Sequence, residues 1–242
     1  MESQSKPRVI VIVPAHNEAR GIAGVVNGVR KRYPEFEILV IDDGSTDNTA
    51  ALAHDAGAIV LRHSFNMGYG TTIQTGYKYA YRNGFDFLVQ IDGDGQHEPD
   101  DIGRLLVPLE REGGADVVIG SRFLGSGDYK PSTLRAIGIQ FFRSVLRLFI
   151  KRKVSDPTSG FQAMNRRVLQ VFIQDFFPVD YPDADIMVLL EKLNFQVEEL
   201  PVRMYPNREG KSMHSNPFNV IYYVFKMLVS MVLTKVRKVE IS

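Results

Sequence analysis

The run Gln90-Ile-Asp-Gly-Asp-Gly-Gln-His97 sets Asp92 and Asp94 two residues apart, directly after the apolar stretch Phe87-Leu88-Val89. Two carboxylates at that spacing can share one hard divalent cation, Mg2+ or Mn2+. Such an ion accepts one or two carboxylates and completes its shell with water and phosphate oxygens. Gly93 and Gly95 carry no Cβ, so a ligand can approach the backbone closely. Uncompensated acids at the end of a buried strand are costly, which favours a ligand role for Asp92 and Asp94 over simple helix capping. For Glu98, Asp100 and Asp101 the capping reading competes, because acids and Pro99 suit a helix N-terminus.

These residues need elements to position them. Short β-branched runs at 8–13, 37–42, 58–63, 86–92 and 115–123 alternate with helical patterns at 19–32, 45–57, 68–84 and 98–112. That alternation predicts a mostly parallel sheet covered on both faces. In such sheets ligands bind outside the carboxyl ends of the strands. Asp92 and Asp94 then follow strand four, Asp42 and Asp43 end strand two, and Pro14 to Glu18 follow strand one. Three strand ends aim polar groups at one crevice. The second half reads as a polar loop at 126–132, an amphipathic helix at roughly 133–151, turn chemistry and a short strand at 156–166, a helix at 183–195, a β-like run at 196–205 and a loop at 206–217.

In combination, "VIVPAHNE" at the first strand end, "IDDGSTD" at the second, "NMGYG" at 66–70 and "IDGDGQH" at 91–97 resemble glycosyltransferase family 2, the inverting sugar-nucleotide transferases of GT-A fold. "GSRF" (120–123), "DPTSGF" (156–161) and "GKS" (210–212) are similar to the dolichyl- and polyprenyl-phosphate mannosyl- or glucosyltransferase branch. The likeness covers roughly 8–215. It implies a GT-A (Rossmann-like) α/β catalytic domain over 1–215 and a C-terminal helical appendage over 216–242. It also implies that Pro14, Ala15, Asn17, Glu18, Asp42, Asp43, Asn66, Gly68, Asp92 and Gly93 bind the nucleotide sugar. Carboxylates suit that task, because they accept hydrogen bonds from ribose hydroxyls and base N–H groups. Asp92 and Asp94, with Gln96 as a further oxygen donor, would hold the metal, which stabilises the departing nucleoside diphosphate as a Lewis acid. Asp47 reads as a turn or cap residue instead.

Transfer to a hydroxyl needs a general base, whereas a phosphate monoester is already an anionic nucleophile and needs cations to hold it. Arg122 and Arg135 match arginines that grip the acceptor phosphate in the prenyl-phosphate branch, and a guanidinium fork suits that anion. Each can also be read as a solvated surface arginine. Arg208, Lys211 and Ser212 belong to the same expected acceptor site. There the chain departs from the branch, since Arg208 stands one position nearer the glycine and Met213 replaces a lysine. The roles of Asp156 and Lys211 stay open. Asp183 and Asp185 read either as helix caps or as the base for a hydroxyl acceptor.

The implied reaction is metal-dependent inverting transfer of a hexose, from a donor of the GDP-mannose or UDP-glucose type, to a polyprenyl or dolichyl phosphate, making a lipid-linked sugar for cell-surface glycans. The alternatives are transfer to a sugar hydroxyl and a non-catalytic nucleotide-binding module. A nicotinamide enzyme is disfavoured, because no Gly-x-Gly-x-x-Gly lies at the first βα turn, and no Walker loop exists. A net charge of +1 over 242 residues gives no field for nucleic acid, and without Cys there is neither disulfide nor thiolate metal site. Val220 to Leu233 is apolar apart from Lys226 and Ser230, too short to span a bilayer, and followed by Lys235, Arg237 and Lys238. An apolar body with a basic end suits the membrane interface, or else packing on the domain or a twin subunit. The expected location is therefore the cytoplasmic face of a membrane, held peripherally, with a small integral-membrane protein or a second copy as candidate partners.

Overall fold

The computed structural model describes residues 6–124, 140, 143–178, 182, 184–205 and 217–237, with side chains of the last segment described from 226. Seven strands form one sheet in the order β3-β2-β1-β4-β6-β5-β7. They are β1 (Val9–Ala15), β2 (Glu37–Asp42), β3 (Ile59–Arg62), β4 (Phe87–Gln90), β5 (Val117–Ser121), β6 (Gln162–Asn165) and β7 (Val197–Pro201). All neighbouring pairs are parallel except β4–β6 and β5–β6, because β6 runs against both of its neighbours.

The strand period of two divides the core. Ile10 and Ile12 of β1, Leu39 and Ile41 of β2 and Leu88 of β4 face one layer; Val9, Val11 and Val13, Ile38 and Val40, and Val89 face the other. Helix α1 (Ile22–Arg32) and α4 (Ile102–Glu110) cover the second face with Val25, Val26, Val29, Leu105 and Leu106; α2 (Thr49–Asp55) joins them through Ala53. Helix α3 (Tyr69–Arg82) covers the first face with Ile73, Tyr77 and Ala80. The same core takes in α5 (Arg166–Phe172), α6 (Ala184–Lys192) and Met227 and Met231 of α7 (Pro217–Val236).

The expected parallel α/β architecture is therefore present, and the differences are local. The first helix begins at Ile22 and not at Ala19, because the Glu18 carbonyl accepts from both Gly21 N and Ile22 N and spends the preceding residues on a turn. The helix expected to run to about 151 has helical backbone at 143–146 and then tightens: Leu148 N and Phe149 N bond to the carbonyls three residues back, and regular helix ends. The last helix stops at Val236. Among the described residues no helix is long and apolar enough to cross a membrane.

Candidate active site

At the carboxyl end of β2, the Asp42 carboxylate is fully buried; its Oδ1 accepts from Ser45 N at 3.2 Å. Arg62 Nε lies 3.0 Å from Oδ2 but off the hydrogen-bond direction, so the contact is an ion pair without a bond. Asp43 turns the other way. Its Oδ1 accepts from Met67 N at 2.9 Å and faces His63 Nδ1 at 2.8 Å, and its Oδ2 accepts from Gly68 N at 2.9 Å. Burial alone would raise the Asp43 carboxyl, but the Met67, His63 and Gly68 donors outweigh it and hold the group below the usual carboxylate range. One carboxylate thus fixes the 66–68 loop against the strand end, and Asn66 Oδ1 adds a bond to Gly68 N at 3.0 Å.

The end of β1 is tied to the same place. Pro14 and Ala15 are the last two residues of the strand, paired with Ile41 and Asp42. His16 Nδ1 lies 2.8 Å from the Asp43 carbonyl, so this ring nitrogen carries the proton. Asn17 adopts a left-handed backbone (φ 57°) while its Oδ1 accepts from Thr46 N at 2.9 Å. Glu18 N donates to Thr49 Oγ1. Asp47 is a turn residue, as its spacing suggests: Oδ1 accepts from Thr49 N and Oδ2 from Ala19 N.

The acidic pair follows β4. Gly93 is buried against Pro14, and a Cβ there would lie 3.3 Å from the Pro14 carbonyl oxygen. Asp92 is clamped on two sides. His97 Nε2 stands 3.2 Å from Asp92 Oδ2, and a Cβ on Gly160 would fall 2.7 Å from both carboxylate oxygens. The His97 ring is buried, lies 5.0 Å from the Phe161 ring, and has no hydrogen-bond partner at Nδ1. A proton on Nδ1 would therefore be stranded, which places the ring proton on Nε2, where it donates to Asp92. Asp94 opens toward solvent, and its Oδ1 accepts from Gln96 N at 2.9 Å. Enclosure by the cleft and then the Asp92 charge raise its carboxyl above the ordinary range.

This donor set fits a hard divalent cation. Two neighbouring carboxylates repel one another, and an ion between them relieves that load. Among the described residues no group of three or more His, Asp or Glu side chains could by itself hold an ion, so water and phosphate oxygens would complete the shell.

The other wall comes from the turn before β6. Because β6 is antiparallel, this turn lies at the same end of the sheet as the exits of β4 and β5. Asp156, fully buried, receives Arg122 in a two-pronged pair: Nε to Oδ2 at 2.7 Å and one terminal nitrogen to Oδ1 at 2.6 Å. Arg122 N also donates to Asp156 Oδ2, and the guanidinium reaches Thr158 Oγ1 at 3.0 Å. Glu199 supports the pair by accepting from Ser155 N and Asp156 N at 2.7 and 2.9 Å. Arg122 is thus a pinned side chain, 12% exposed, and not a solvated surface arginine.

Glu98 and Asp101 serve the frame. Glu98 accepts from Tyr205 OH at 2.5 Å, and Asp101 from Arg203 N at 2.8 Å. Tyr205 N donates to the Gln96 carbonyl, and His97 pairs with Met204 as an antiparallel bridge. The segment after β7 is therefore fastened alongside the Asp92–Asp94 loop. Asp185 is buried and engaged elsewhere: Oδ1 accepts from Ile186 N and Oδ2 from Ser230 Oγ of α7. Arg135, Asp183, Arg208, Lys211 and Ser212 lie outside the described residues.

The glycosyl transferase family 2 model matches residues 10–172, which span β1 through α5 and include every residue of the cleft from Pro14 to Gly160. The chain belongs to glycosyl transferase family 2. Within this family it is similar to polyprenol monophosphomannose synthase of Mycolicibacterium smegmatis, 29% identical over 91% of this chain and 85% of the relative. It is also similar to the UDP-N-acetylglucosamine–dolichyl-phosphate N-acetylglucosaminyltransferase of Methanococcus voltae, 26% identical over 96% and 97%. Among solved structures, glucosyl-3-phosphoglycerate synthase of Mycobacterium tuberculosis, in complex with Mn2+ and UDP-glucose, superposes with a TM-score of 0.69 at 20% identity, covering 95% of this chain and 79% of that one. That likeness establishes the fold.

His97, Gly160 and Asp156 fall in the quoted motifs, but the sequence assigned none of them a role. Their partners stand 5, 68 and 34 positions away in the chain, and such pairings leave no periodic trace. The "DPTSGF" motif was the available signal: its aspartate and threonine engage Arg122, and its glycine and phenylalanine pack against Asp92 and His97. Gly160→Ala is expected to push Asp92 off its position and to weaken Mn2+ binding by about tenfold, as loss of support around a ligand does, with nucleotide binding in the absence of metal little changed. Manganese electron paramagnetic resonance titration checks this, and wild-type affinity in the variant would refute it.

Proposed function

We propose that this glycosyltransferase transfers a hexose from a nucleotide sugar to a polyprenyl phosphate, with inversion and with a divalent cation. The observation that carries the reading is Asp92 and Asp94 at the exit of β4, facing the ends of β1 and β2 on one side and the Arg122–Asp156 pair on the other. Asp43, through His63 and the backbone of Met67 and Gly68, orders the loop beside the donor. Asp42 acts through Ser45 and Arg62, and Asn17 through Thr46, so both shape the nucleoside pocket by positioning its wall. Asp92 and Asp94 would hold Mg2+ or Mn2+, with Gln96 near enough in sequence to add an oxygen, and the ion would supply charge neutralisation for the departing diphosphate.

The acceptor assignment rests on charge. A phosphate monoester brings its own anionic oxygen, and no side chain need remove a proton. Arg122, with its plane set by Asp156, is the proposed cation for such an anion. Two relatives, one named for polyprenol monophosphomannose and one for dolichyl phosphate, support this choice, while their sugars differ, so the donor is left at the level of a nucleotide hexose. Asp185, held by Ser230 and buried, is poorly placed to serve as the base that a hydroxyl acceptor would require.

The test is transfer from labelled GDP-mannose, UDP-glucose and UDP-N-acetylglucosamine to a short-chain isoprenyl phosphate, with Mn2+ present or chelated. Metal-dependent label on the isoprenyl phosphate is expected. Label only on soluble sugars would shift the reading to a hydroxyl acceptor, and nucleotide binding without turnover would reduce the chain to a binding module.

A further inference from the structure

His97 is a buried polar side chain that satisfies only half of its ring. The side chain is 1% exposed; Nε2 lies 3.2 Å from Asp92 Oδ2, and Nδ1 has no hydrogen-bond partner. The ring packs on Phe161, itself fully buried, with 5.0 Å between centroids. A histidine kept for packing alone is a poor choice here, because a stranded acceptor costs free energy that an apolar side chain of similar size does not. The nitrogen that has a partner is the one aimed at Asp92.

The backbone that carries the ring is fixed from outside β4. His97 bridges to Met204, Tyr205 N donates to the Gln96 carbonyl at 2.7 Å, and Val202 N donates to that of Ser121 at 3.2 Å. Asp92 lacks such support. It stands two residues past Gln90, the last residue of β4, and its side chain is 30% exposed. Gly160 lies against the carboxylate without bonding to it, since a Cβ there would fall 2.7 Å from both oxygens. Contact of that kind limits where the carboxylate can go, and a directional donor sets how it is turned.

We propose that His97 is a positioning residue for metal binding: its Nε2–H holds the Asp92 carboxylate at one rotation, so the Asp92–Asp94 pair is set before a divalent cation arrives. The bare Nδ1 is the stability forgone for that hold. A donor behind a carboxylate ligand typically changes metal affinity by about ten- to a hundredfold. This role rests on the metal-dependent reading given above and deepens it, because His97 acts through Asp92.

Two substitutions separate the hold from the packing. His97→Gln keeps an N–H donor at the reach of Nε2 and also keeps a stranded acceptor. His97→Leu removes both. Manganese electron paramagnetic resonance titration is expected to show about tenfold weaker Mn2+ binding in His97→Leu and near wild-type binding in His97→Gln. In chelator, His97→Leu should melt at or above the wild-type temperature, which loss of a purely structural residue would not give. In turnover, the Leu variant should need about tenfold more Mn2+ while kcat at saturating ion stays within about twofold of wild type. Wild-type Mn2+ affinity in His97→Leu overturns the proposal. So does a lower melting temperature in His97→Leu accompanied by a loss of Mn2+ binding that His97→Gln fails to restore. A metal-free readout is nitrogen-15 NMR of the histidine side chains, with the His97 signals assigned by their absence from the His97→Gln spectrum. The Nε2-protonated tautomer is expected, and the Nδ1-protonated one overturns the hold. If wild type binds no Mn2+ with or without nucleotide, the functional reading fails, and the NMR result still decides whether His97 holds Asp92.

Discussion

Replacing Asp94 with alanine is expected to lower sugar transfer by about a thousandfold while leaving the metal-free protein as stable as wild type. The first half follows from the chemistry of the pair. With one carboxylate gone, Asp92 alone must hold a hard cation, and the developing charge on the leaving diphosphate loses several kcal/mol of stabilisation; about 4 kcal/mol corresponds to three decades in rate. The second half follows from the electrostatics. Asp94 sits at the mouth of the cleft beside Asp92, and partial burial there together with the Asp92 charge disfavours its charged form. Its removal relieves a repulsion and gives up the short-range bond from Gln96 N. Turnover at saturating donor, measured beside a thermal melt in chelator, separates the two claims. Full activity would remove Asp94 from the metal site, and a large loss of stability would make it a structural residue instead.

The second large effect concerns Asp156. This carboxylate is fully buried and accepts from Arg122, from the Arg122 backbone and, through Glu199, sits at the centre of a closed polar cluster. Asp156→Ala would leave a guanidinium only 12% exposed without its counter-charge. Breaking a buried pair from one side costs about 3–5 kcal/mol, which is on the order of 10 °C in melting temperature for a chain of this size. The Arg122→Ala, Asp156→Ala double variant should be less destabilised than the sum of the two single ones, because the orphaned charge is gone. A melting temperature of Asp156→Ala within a degree or two of wild type would show that the pair holds nothing in place. Activity of the Asp156→Asn protein is informative as well: it keeps the shape, loses the charge, and should bind phosphate acceptor less selectively.

The contrast between these two aspartates explains which parts of the site could be read from the chain alone. Asp92 and Asp94 were visible because they follow a β-branched run and stand two apart, both local properties. The strand ends at Pro14 and Asp42 were visible for the same reason, and the parallel register joined them as expected. The Arg122–Asp156 pair was not visible. Arg122 carried the same residue type whether it gripped a ligand, faced water or paired with an acid, and only the fold chooses. Nor did the run at 162–165 announce its direction, since four residues of strand look alike in either sense. Asp185 could be read locally as a cap or as a base, and neither reading contained its partner Ser230, which lies 45 positions away.

The reversed direction of β6 has a further consequence. The chain leaves the sheet at Ser121 and re-enters it at Gln162, and both departure and return are at the end of the sheet that carries Asp92 and Asp94. The Arg122–Asp156 clasp closes that excursion at its base, as a drawstring closes a purse. Changes between Arg122 and Asp156 that leave Arg143, Leu146 and Ile150 in place are then expected not to reach the carboxylates behind the knot. On the proposed reading, such variation would exchange the acceptor while leaving the donor side unaltered.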